Sequence, residues 1–418
     1  MNGAAQDGAG IERLGSRALM MGGAGLAACL AGAAMDREQF FRSYLLGFVF
    51  VAAVPLGCLA LFMLHNMSGG GWGFVIRRVL EAGTRTFPVL LALFVPVAFA
   101  VVMDGRSGMG EDGKPHWYLY EWANAEVVKH DKLLEYKSVY LNVQFFLTRA
   151  AGYFLVWLAL AYFLNRWSAQ QDANPGEGGH YTRRMQYLSG TGLLLYGLTV
   201  TFACVDWVMS LEPHWFSTMY GLMFIVGQGL TTLCFAVLML RKLAGCEPLA
   251  GIVRPSHYHD LGNLMLTFVI LWAYIAYSQY LIIWSGNLPE ENVWYLRRTG
   301  DGWQILAIFL IAFHFAVPFM LLLSRKLKRQ PQTIARLAVA LLAMRLLDMI
   351  WLIKPAFTHP GEGGEIVAHF SLHWLDFAAP MGIGGIWLWA FAWQLQKRPL
   401  VPAGDPRLAE ILAHAHGH

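Results

Sequence analysis

Two pairs of ionisable residues stand at helical spacing inside apolar stretches of the sequence. Arg345 and Asp348 are three positions apart, and so are His373 and Asp376. Residues at this spacing share one face of a helix, and an ionisable group at membrane depth is rare and usually functional. Each pair therefore fits a set of groups that accept or conduct protons beside a ligand pocket. The alternative is that each pair only neutralises buried charge between helices.

A further acid, Asp206, lies in the stretch TFACVDWVMSLEPHW at 201–215. It could be the ion-pair partner of an arginine such as Arg149, since buried charges are usually paired. It could also be a carboxylate that takes a proton from a bound reductant. The sequence leaves both alternatives open.

Several other ionisable groups also fall inside or at the ends of apolar stretches. We expect these to lie at or in the same half of the membrane as Asp206: Asp104, Glu212, His214, Lys354 and His369. His314 falls near mid-membrane, and His65 falls near the opposite end of its span.

The roles assigned to these groups follow from their types. For direct chemistry we favour Asp206, His373 and Asp376, and for proton conduction or electrostatic tuning Arg149, Arg345 and Asp348. Asp104 is a further candidate for the proton pathway or ligand site. His314 could connect these candidates to the other half of the membrane, towards His65.

The histidines do not predict a haem or metal site. A membrane haem with two imidazole ligands needs them on facing helices, whereas His65, His314 and His373 fall at different depths. The five cysteines form no C-x-x-C pair. We therefore expect this chain to bind no haem, iron–sulfur cluster or metal.

The composition points to a membrane protein. Hydrophobic residues make up 56% of the 418 residues, and charged residues only 14%, well below the fraction usual in soluble domains. The net charge of +4 is too small to indicate a nucleic-acid partner. We therefore expect these long apolar segments to lie in the lipid bilayer.

The hydropathy pattern predicts an all-α integral membrane protein with roughly ten transmembrane helices. A flexible N-terminus (1–16) precedes the membrane domain (17–396), and a tail (397–418) follows it. Lys and Arg fall mostly on the side of the membrane that holds both termini, which predicts that both are cytoplasmic. The predicted spans are 17–35, 40–66, 86–104, 142–165, 186–210, 216–240, 260–285, 303–324, 333–353 and 370–395.

Two connecting segments stand out. The longest, about 105–140, is predicted to face the periplasm, and loops of this length usually serve as docking surfaces or lids. Residues 74–82 follow a glycine-rich turn and predict an interfacial helix, with Arg77 and Arg78 directed towards lipid phosphates.

Several longer motifs resemble a known family. They are LHNMSGGGWG (64–73) followed by RRVLEAGTRTFP (77–88), YLYEW (118–122) with KSVYLN (137–142), FHFAVPFMLLLSR (313–325) and MRLLDMIW (344–351). Together they resemble the NrfD/PsrC-like membrane subunits of alternative complex III, a quinol:cytochrome c oxidoreductase of bacterial inner membranes. The likeness covers about residues 40–395 and is greatest to the ActF type.

This resemblance implies an architecture, ligands and partners. It implies two four-helix bundles plus peripheral helices, and a role in binding quinone (menaquinone or ubiquinone) or in translocating protons. The redox centres would lie in neighbouring subunits. The implied partners are an ActC-like paralogue, the iron–sulfur subunit ActB, multihaem cytochromes c, small membrane subunits, a terminal oxidase and lipids.

Two other functions fit the residues. Intramembrane acids and arginines, with prolines that can break helices, are also typical of secondary transporters. A purely structural membrane anchor with inert ion pairs is the third alternative.

Overall fold

The computed structural model describes residues 2–108, 116, 118–300, 302–357 and 370–408, with side chains described from residue 10 onward. The described residues are mostly helical and contain no strand, as predicted. In chain order the helices are α1 (Asn2–Met35), α2 (Arg37–Ser68), α3 (Gly71–Thr84), α4 (Phe87–Asp104), α5 (Ala125–His130), α6 (Lys132–Lys137), α7 (Val143–Ala173), α8 (Gly178–Trp207), α9 (Tyr220–Leu243), α10 (Pro255–Gly286), α11 (Pro289–Thr299), α12 (Trp303–Leu310), α13 (Val317–Leu323), α14 (Arg325–Lys328), α15 (Pro331–Ile353) and α16 (Leu375–Gln396).

Within the described ranges, nine helical segments are long and apolar enough to cross a membrane, so the chain has the character of a multi-pass membrane protein. They are Gly10–Met35, Arg37–Ser68, Phe87–Asp104, Val143–Ala173, Pro175–Leu211, Tyr220–Leu243, Pro255–Gly286, Trp303–Leu323 and Leu375–Gln396. The predicted span 333–353 is also a helix, α15, with 23 residues. It carries Arg336, Arg345 and Asp348, and this charge content sets it apart from the nine.

The centre of the molecule is formed by α2 and α9. In their most apolar stretches, 89% and 83% of the residues are buried. The two helices pack directly on each other at Gly57, where a β-carbon would collide with Thr232 and with the backbone of Gln228. Small residues allow such close approach between membrane helices, so Gly57 sets how near the two central helices lie.

The first and last long helices pack together in the same way. Gly22 and Gly25 of α1 lie against the backbone of Gly385 and Gly382 of α16. Helix α16 also packs along α2, where Gly47 lies against Pro380. This contact brings the residues that follow α16 close to those that follow α2.

Two local predictions were wrong. Helix α16 begins at Leu375, not near 370, so His373 precedes the helix and does not share a helical face with Asp376. Arg77 and Arg78 of α3 do not face lipid phosphates, because they are only 0% and 2% exposed. Both arginines point inward because acidic side chains meet them there.

Candidate functional site

The Arg149–Asp206 pair joins α7 to α8. Arg149 donates two hydrogen bonds of 2.9 Å to the two carboxylate oxygens of Asp206, and the Tyr153 hydroxyl donates a third at 2.7 Å. The guanidinium also donates to the Tyr140 carbonyl (2.9 Å) and lies 3.8 Å from the centre of the Tyr140 ring. Asp206 therefore has an arginine partner, which is the first of the two alternatives that the sequence left open. Both of its oxygens are occupied.

Asp104 ends α4 and binds backbone. Its carboxylate accepts hydrogen bonds from the backbone N–H groups of Tyr118 (2.6 Å), Leu119 (3.1 Å) and Tyr120 (2.9 Å). The side chain is fully buried. Because three fixed donors hold this carboxylate, its arrangement suits anchoring of the following loop better than proton transfer.

Arg345 and Asp348 form a buried ion pair on α15. The indole N–H of Trp272, on α10, donates to the same Asp348 oxygen at 3.2 Å. Arg345 also lies against Gly227 of α9, where a β-carbon would collide with the guanidinium. The pair is thus held between three helices, and the Arg345 Nε atom is buried without a hydrogen-bond partner.

His314 lies beside this pair. It belongs to a π-helical turn, Ile311–Ala316, that joins α12 to α13, and such turns are frequent at functional sites. The imidazole is fully buried, its centre lies 4.1 Å from that of the Trp272 ring, and neither ring nitrogen has a hydrogen-bond partner. Two open nitrogens on a buried imidazole could accept and release a proton.

Asp376 is the centre of a third group. Its carboxylate accepts from Lys354 Nζ (2.7 Å), Ser43 Oγ (2.6 Å) and Gln39 Nε2 (3.3 Å). His373 approaches it with its backbone N–H (2.8 Å), not with its ring. The His373 ring is half-buried and its Nδ1 accepts the Leu375 N–H, so the predicted imidazole–carboxylate pair does not form.

His65 lies at the opposite end of α2. Its Nδ1 lies 3.3 Å from the Gly69 carbonyl, and its Nε2 is buried without a partner. The ring packs edge-on against Trp72 and directly over Gly73. No direct contact joins His65 to His314.

A cluster beside His65 was missed by sequence reasoning. Arg77 donates to Glu81 (3.0 Å) and to Asp405 (2.6 Å), and Arg78 donates to Glu81 (2.6 Å). Arg398 reaches Glu81 at 3.2 Å. We call these five residues the Arg77 cluster. The spacing of Arg77 and Arg78 to Glu81 was a usable signal, because i,i+3 and i,i+4 pairs of opposite charge attract each other.

Electrostatics make the acids of the Arg77 cluster permanently charged at neutral pH. Helix α3 is not among the nine spans. Burial alone would raise the pKa of Glu81, but Arg78, Arg77 and Arg398 outweigh it and lower the pKa well below its ordinary value. Burial would also raise the pKa of Asp405, but Arg407 and Arg77 outweigh it and lower that pKa below its ordinary value. The cluster therefore holds charge in place and does not exchange protons near pH 7.

Two further groups lie near the end that holds Asp206. Glu212 pairs with Arg297 (3.0 Å) and Arg298 (2.6 Å). His214 pairs with Asp131 at 2.6 Å on an exposed surface. The last member of the predicted set, His369, lies outside the described residues.

The predicted candidates thus divide into separate groups, centred on Asp206, Asp104, Asp348, Asp376 and His65. Among the described residues, the groups of Asp104 and Asp206 are linked through Tyr120, which donates its N–H to Asp104 and its hydroxyl to the Trp207 carbonyl (2.8 Å). Among the described residues no group of three or more His, Cys, Asp or Glu side chains could hold a metal ion. No protein-family model matches this chain, and no curated protein matches it.

Proposed function

We propose that this chain is a membrane subunit of a respiratory quinol:electron-acceptor oxidoreductase of the alternative complex III type. The support is the motif set at 64–88, 118–142, 313–325 and 344–351. Two of these motifs contain His314 and the Arg345–Asp348 pair. The chain handles protons and quinone, and neighbouring subunits carry the electrons.

The observation that carries this proposal is the group formed by His314, Trp272, Arg345 and Asp348. Quinol oxidation releases protons, and a protein must supply acceptors for them. His314 has two unpartnered nitrogens at the edge of a buried ion pair. Arg345 lies close enough to His314 for its charge to act on a proton held there, and Asp348 pairs with Arg345.

The packing of the helices supports two four-helix bundles. The first contains α2, the broken helix α3–α4, α7 and α8, which contact one another in sequence. The second contains α9, α10, the interrupted helix α12–α13 and α15. The first helices of the two groups, α2 and α9, pack against each other, while α1 and α16 lie outside the groups.

The topology follows from the same proposal. With α15 counted as a tenth crossing, both termini lie on one side, and the excess of Lys and Arg puts that side in the cytoplasm of a bacterial inner membrane. The loop that contains Asp104's three partners then faces the periplasm. The Arg77 cluster lies at the cytoplasmic end.

The proposed partners are those of alternative complex III: an ActC-like paralogue, the iron–sulfur subunit ActB, multihaem cytochromes c and small membrane subunits. Quinone, as menaquinone or ubiquinone, is the proposed ligand. Mild solubilisation of the tagged chain from its native membrane tests this directly. We expect haem and iron–sulfur absorbance to co-purify with it, whereas a secondary transporter would be isolated without redox partners.

The role of His314 is tested in that purified complex. Replacing His314 by Leu should reduce quinol-dependent turnover and proton release about tenfold or more, since general acid–base groups typically contribute at least that factor. The control is His180→Leu, which changes an exposed histidine on α8. Unchanged proton release in an assembled His314→Leu complex would favour the structural-anchor alternative.

A further inference from the structure

The connection between α13 and α15 is rich in basic residues. No acidic residue occurs in the sequence between Asp301 and Asp348. Within this stretch, the segment 325–336 has five basic side chains, and we call this segment the basic turn. They are Arg325, Lys326, Lys328, Arg329 and Arg336. None of them belongs to the groups described above, so this concentration of positive charge needs its own explanation.

One lysine fixes the position of the basic turn. Lys328 is 5% exposed, and its Nζ donates to Asn263 Oδ1 of α10 at 2.5 Å. Its aliphatic stem lies against Gly262, where a β-carbon would collide with it. At the start of the turn, Ser324 Oγ accepts the Leu327 N–H at 3.4 Å. The turn is therefore fastened to α10 through one of its own cations.

The other four basic side chains of the turn are exposed. Within the described ranges, none of these four forms an ion pair with an acidic side chain. Elsewhere, partly exposed arginines do have such partners, since Arg42 pairs with Glu38 and Arg297 with Glu212. Unpaired cations on one short turn repel each other. Charge complementarity therefore favours an anionic ligand at this surface.

The surface next to the basic turn is apolar. Trp303–Leu323, one of the nine candidate spans, ends two residues before Arg325. Near its end, Met320 and Leu323 are 66% and 56% exposed. An apolar surface that continues directly into unpaired cations matches the two parts of a phospholipid, its acyl chains and its headgroup. A soluble anion would leave the apolar part uncovered.

We propose that the basic turn binds the headgroups of anionic phospholipids in the adjacent leaflet. Arg325, Lys326 and Arg329 contact the phosphate oxygens, and the acyl chains lie along Met320 and Leu323. Guanidinium groups suit this role because they can bind phosphate oxygens in a bidentate manner. A zwitterionic lipid binds more weakly, since its own cationic group neutralises the phosphate. This inference goes beyond the proposed function and does not depend on it.

The test uses the full chain, purified with the partners it retains, in nanodiscs of phosphatidylcholine and phosphatidylglycerol. Phosphatidylglycerol with a photoreactive acyl chain is the probe, and we expect its crosslinks in peptides from 313–336. Lys326→Gln/Arg329→Gln should weaken this labelling roughly fivefold for each charge removed. Labelling of the wild type should also fall as the NaCl concentration rises, because exposed charges are screened by salt.

Two variants serve as controls for this double substitution. Arg183→Gln/Arg184→Gln removes two exposed arginines near the start of α8 and should leave labelling of 313–336 unchanged. Lys326→Arg/Arg329→Lys keeps both charges and should retain the labelling. A further variant, Arg325→Gln, should weaken labelling roughly fivefold. It keeps the proposal testable if the double variant does not fold.

Four results would overturn the assignment. The first is equal labelling of 313–336 by photoreactive phosphatidylcholine and phosphatidylglycerol, and the second is wild-type labelling in both Lys326→Gln/Arg329→Gln and Arg325→Gln. The third is loss of a co-purified protein from these variants while lipid labelling persists, which would make the turn a protein-docking surface. The fourth is competition by inorganic phosphate but not by NaCl of the same ionic strength, which would indicate a site for free phosphate.

Discussion

Trp272 donates its indole N–H to Asp348, and this hydrogen bond of 3.2 Å connects α10 to α15 inside the molecule. The other side of the same ring system lies against His314. Trp272 is therefore the element that sets the distance between the imidazole and the ion pair.

Replacing Trp272 by Phe tests this arrangement. The phenyl ring still fills part of the space, but Asp348 loses a donor worth about 1 kcal/mol, which corresponds to a change of roughly fivefold. Under the proposed function, we expect quinol-dependent turnover of the purified complex to fall by about that factor. The matched control is Trp387→Phe. It removes a hydrogen bond of 2.8 Å from the Trp387 indole to Thr86, which does not belong to this group. Equal losses in the two variants would contradict a specific role for Trp272.

Asp405 stabilises the Arg77 cluster from a distant part of the chain. Both side chains of the Arg77–Asp405 pair are fully buried, and removing one partner from a buried pair typically costs about 3 kcal/mol or more. Asp405→Asn should therefore lower the thermal unfolding midpoint of the detergent-solubilised protein. Glu12→Gln, at an exposed position of α1, should leave the midpoint unchanged. An Asp405→Asn protein as stable as wild type would show that Glu81, Ser168 and Gln171 are sufficient partners for Arg77.

The stability given by this cluster should depend on pH. The ordinary pKa is 4.5 for Glu81 and 3.8 for Asp405, and the fold lowers both. A carboxylate with a lowered folded-state pKa stabilises fully above its ordinary pKa and loses that contribution as the pH falls through the lowered value. The difference in unfolding midpoint between wild type and Asp405→Asn should thus be constant near pH 7 and shrink below about pH 4. A difference that grows on acidification would contradict this sign.

Gly57 is the position at which the central helices tolerate no side chain. Gly57→Ala places a methyl group against Thr232 and the Gln228 backbone, and overpacking of this kind costs about 1–3 kcal/mol. We expect a lower folded yield and a lower unfolding midpoint by size-exclusion chromatography and thermal melting. Gly152→Ala on α7 is the control, since its β-carbon would meet no atom within 4 Å.

Asp104 should control the order of the loop that follows α4. Asp104→Ala leaves the backbone N–H groups of 118–120 without their acceptor, and each lost bond of this type costs about 1 kcal/mol. Limited proteolysis should then cut faster within 118–137 than in the wild type. Asp36→Ala, which removes a single capping bond to Gln39 at 2.9 Å, should not have this effect.

Hydropathy alone was sufficient to predict the long helices. Apolar runs about as long as the membrane is thick must form helices in lipid, and α2, α4, α7, α9 and α10 lie close to their predicted ranges. The helical start of α16 was misplaced, because the residues around His373 are as compatible with a loop as with a helix. The π-helical turn at His314 has no signature in the periodicity of the sequence.

The site was harder to predict than the fold. The Arg149–Asp206 pair followed from the rule that buried charges need partners. In the Arg77 cluster, the spacing of Arg77 and Arg78 to Glu81 was a usable signal, but the contact with Asp405 was not predictable, because Asp405 is 328 positions away from Arg77.

The same separation has a consequence for biogenesis. Arg77 is synthesised long before Asp405, and every helix from α4 to α16 is made between them. Until then Glu81 is the carboxylate available to Arg77, while Arg78 can also pair with Asp172. The buried Arg77–Asp405 ion pair can therefore form only after the whole of α16 has been made, which makes it one of the last contacts that a newly synthesised chain can complete.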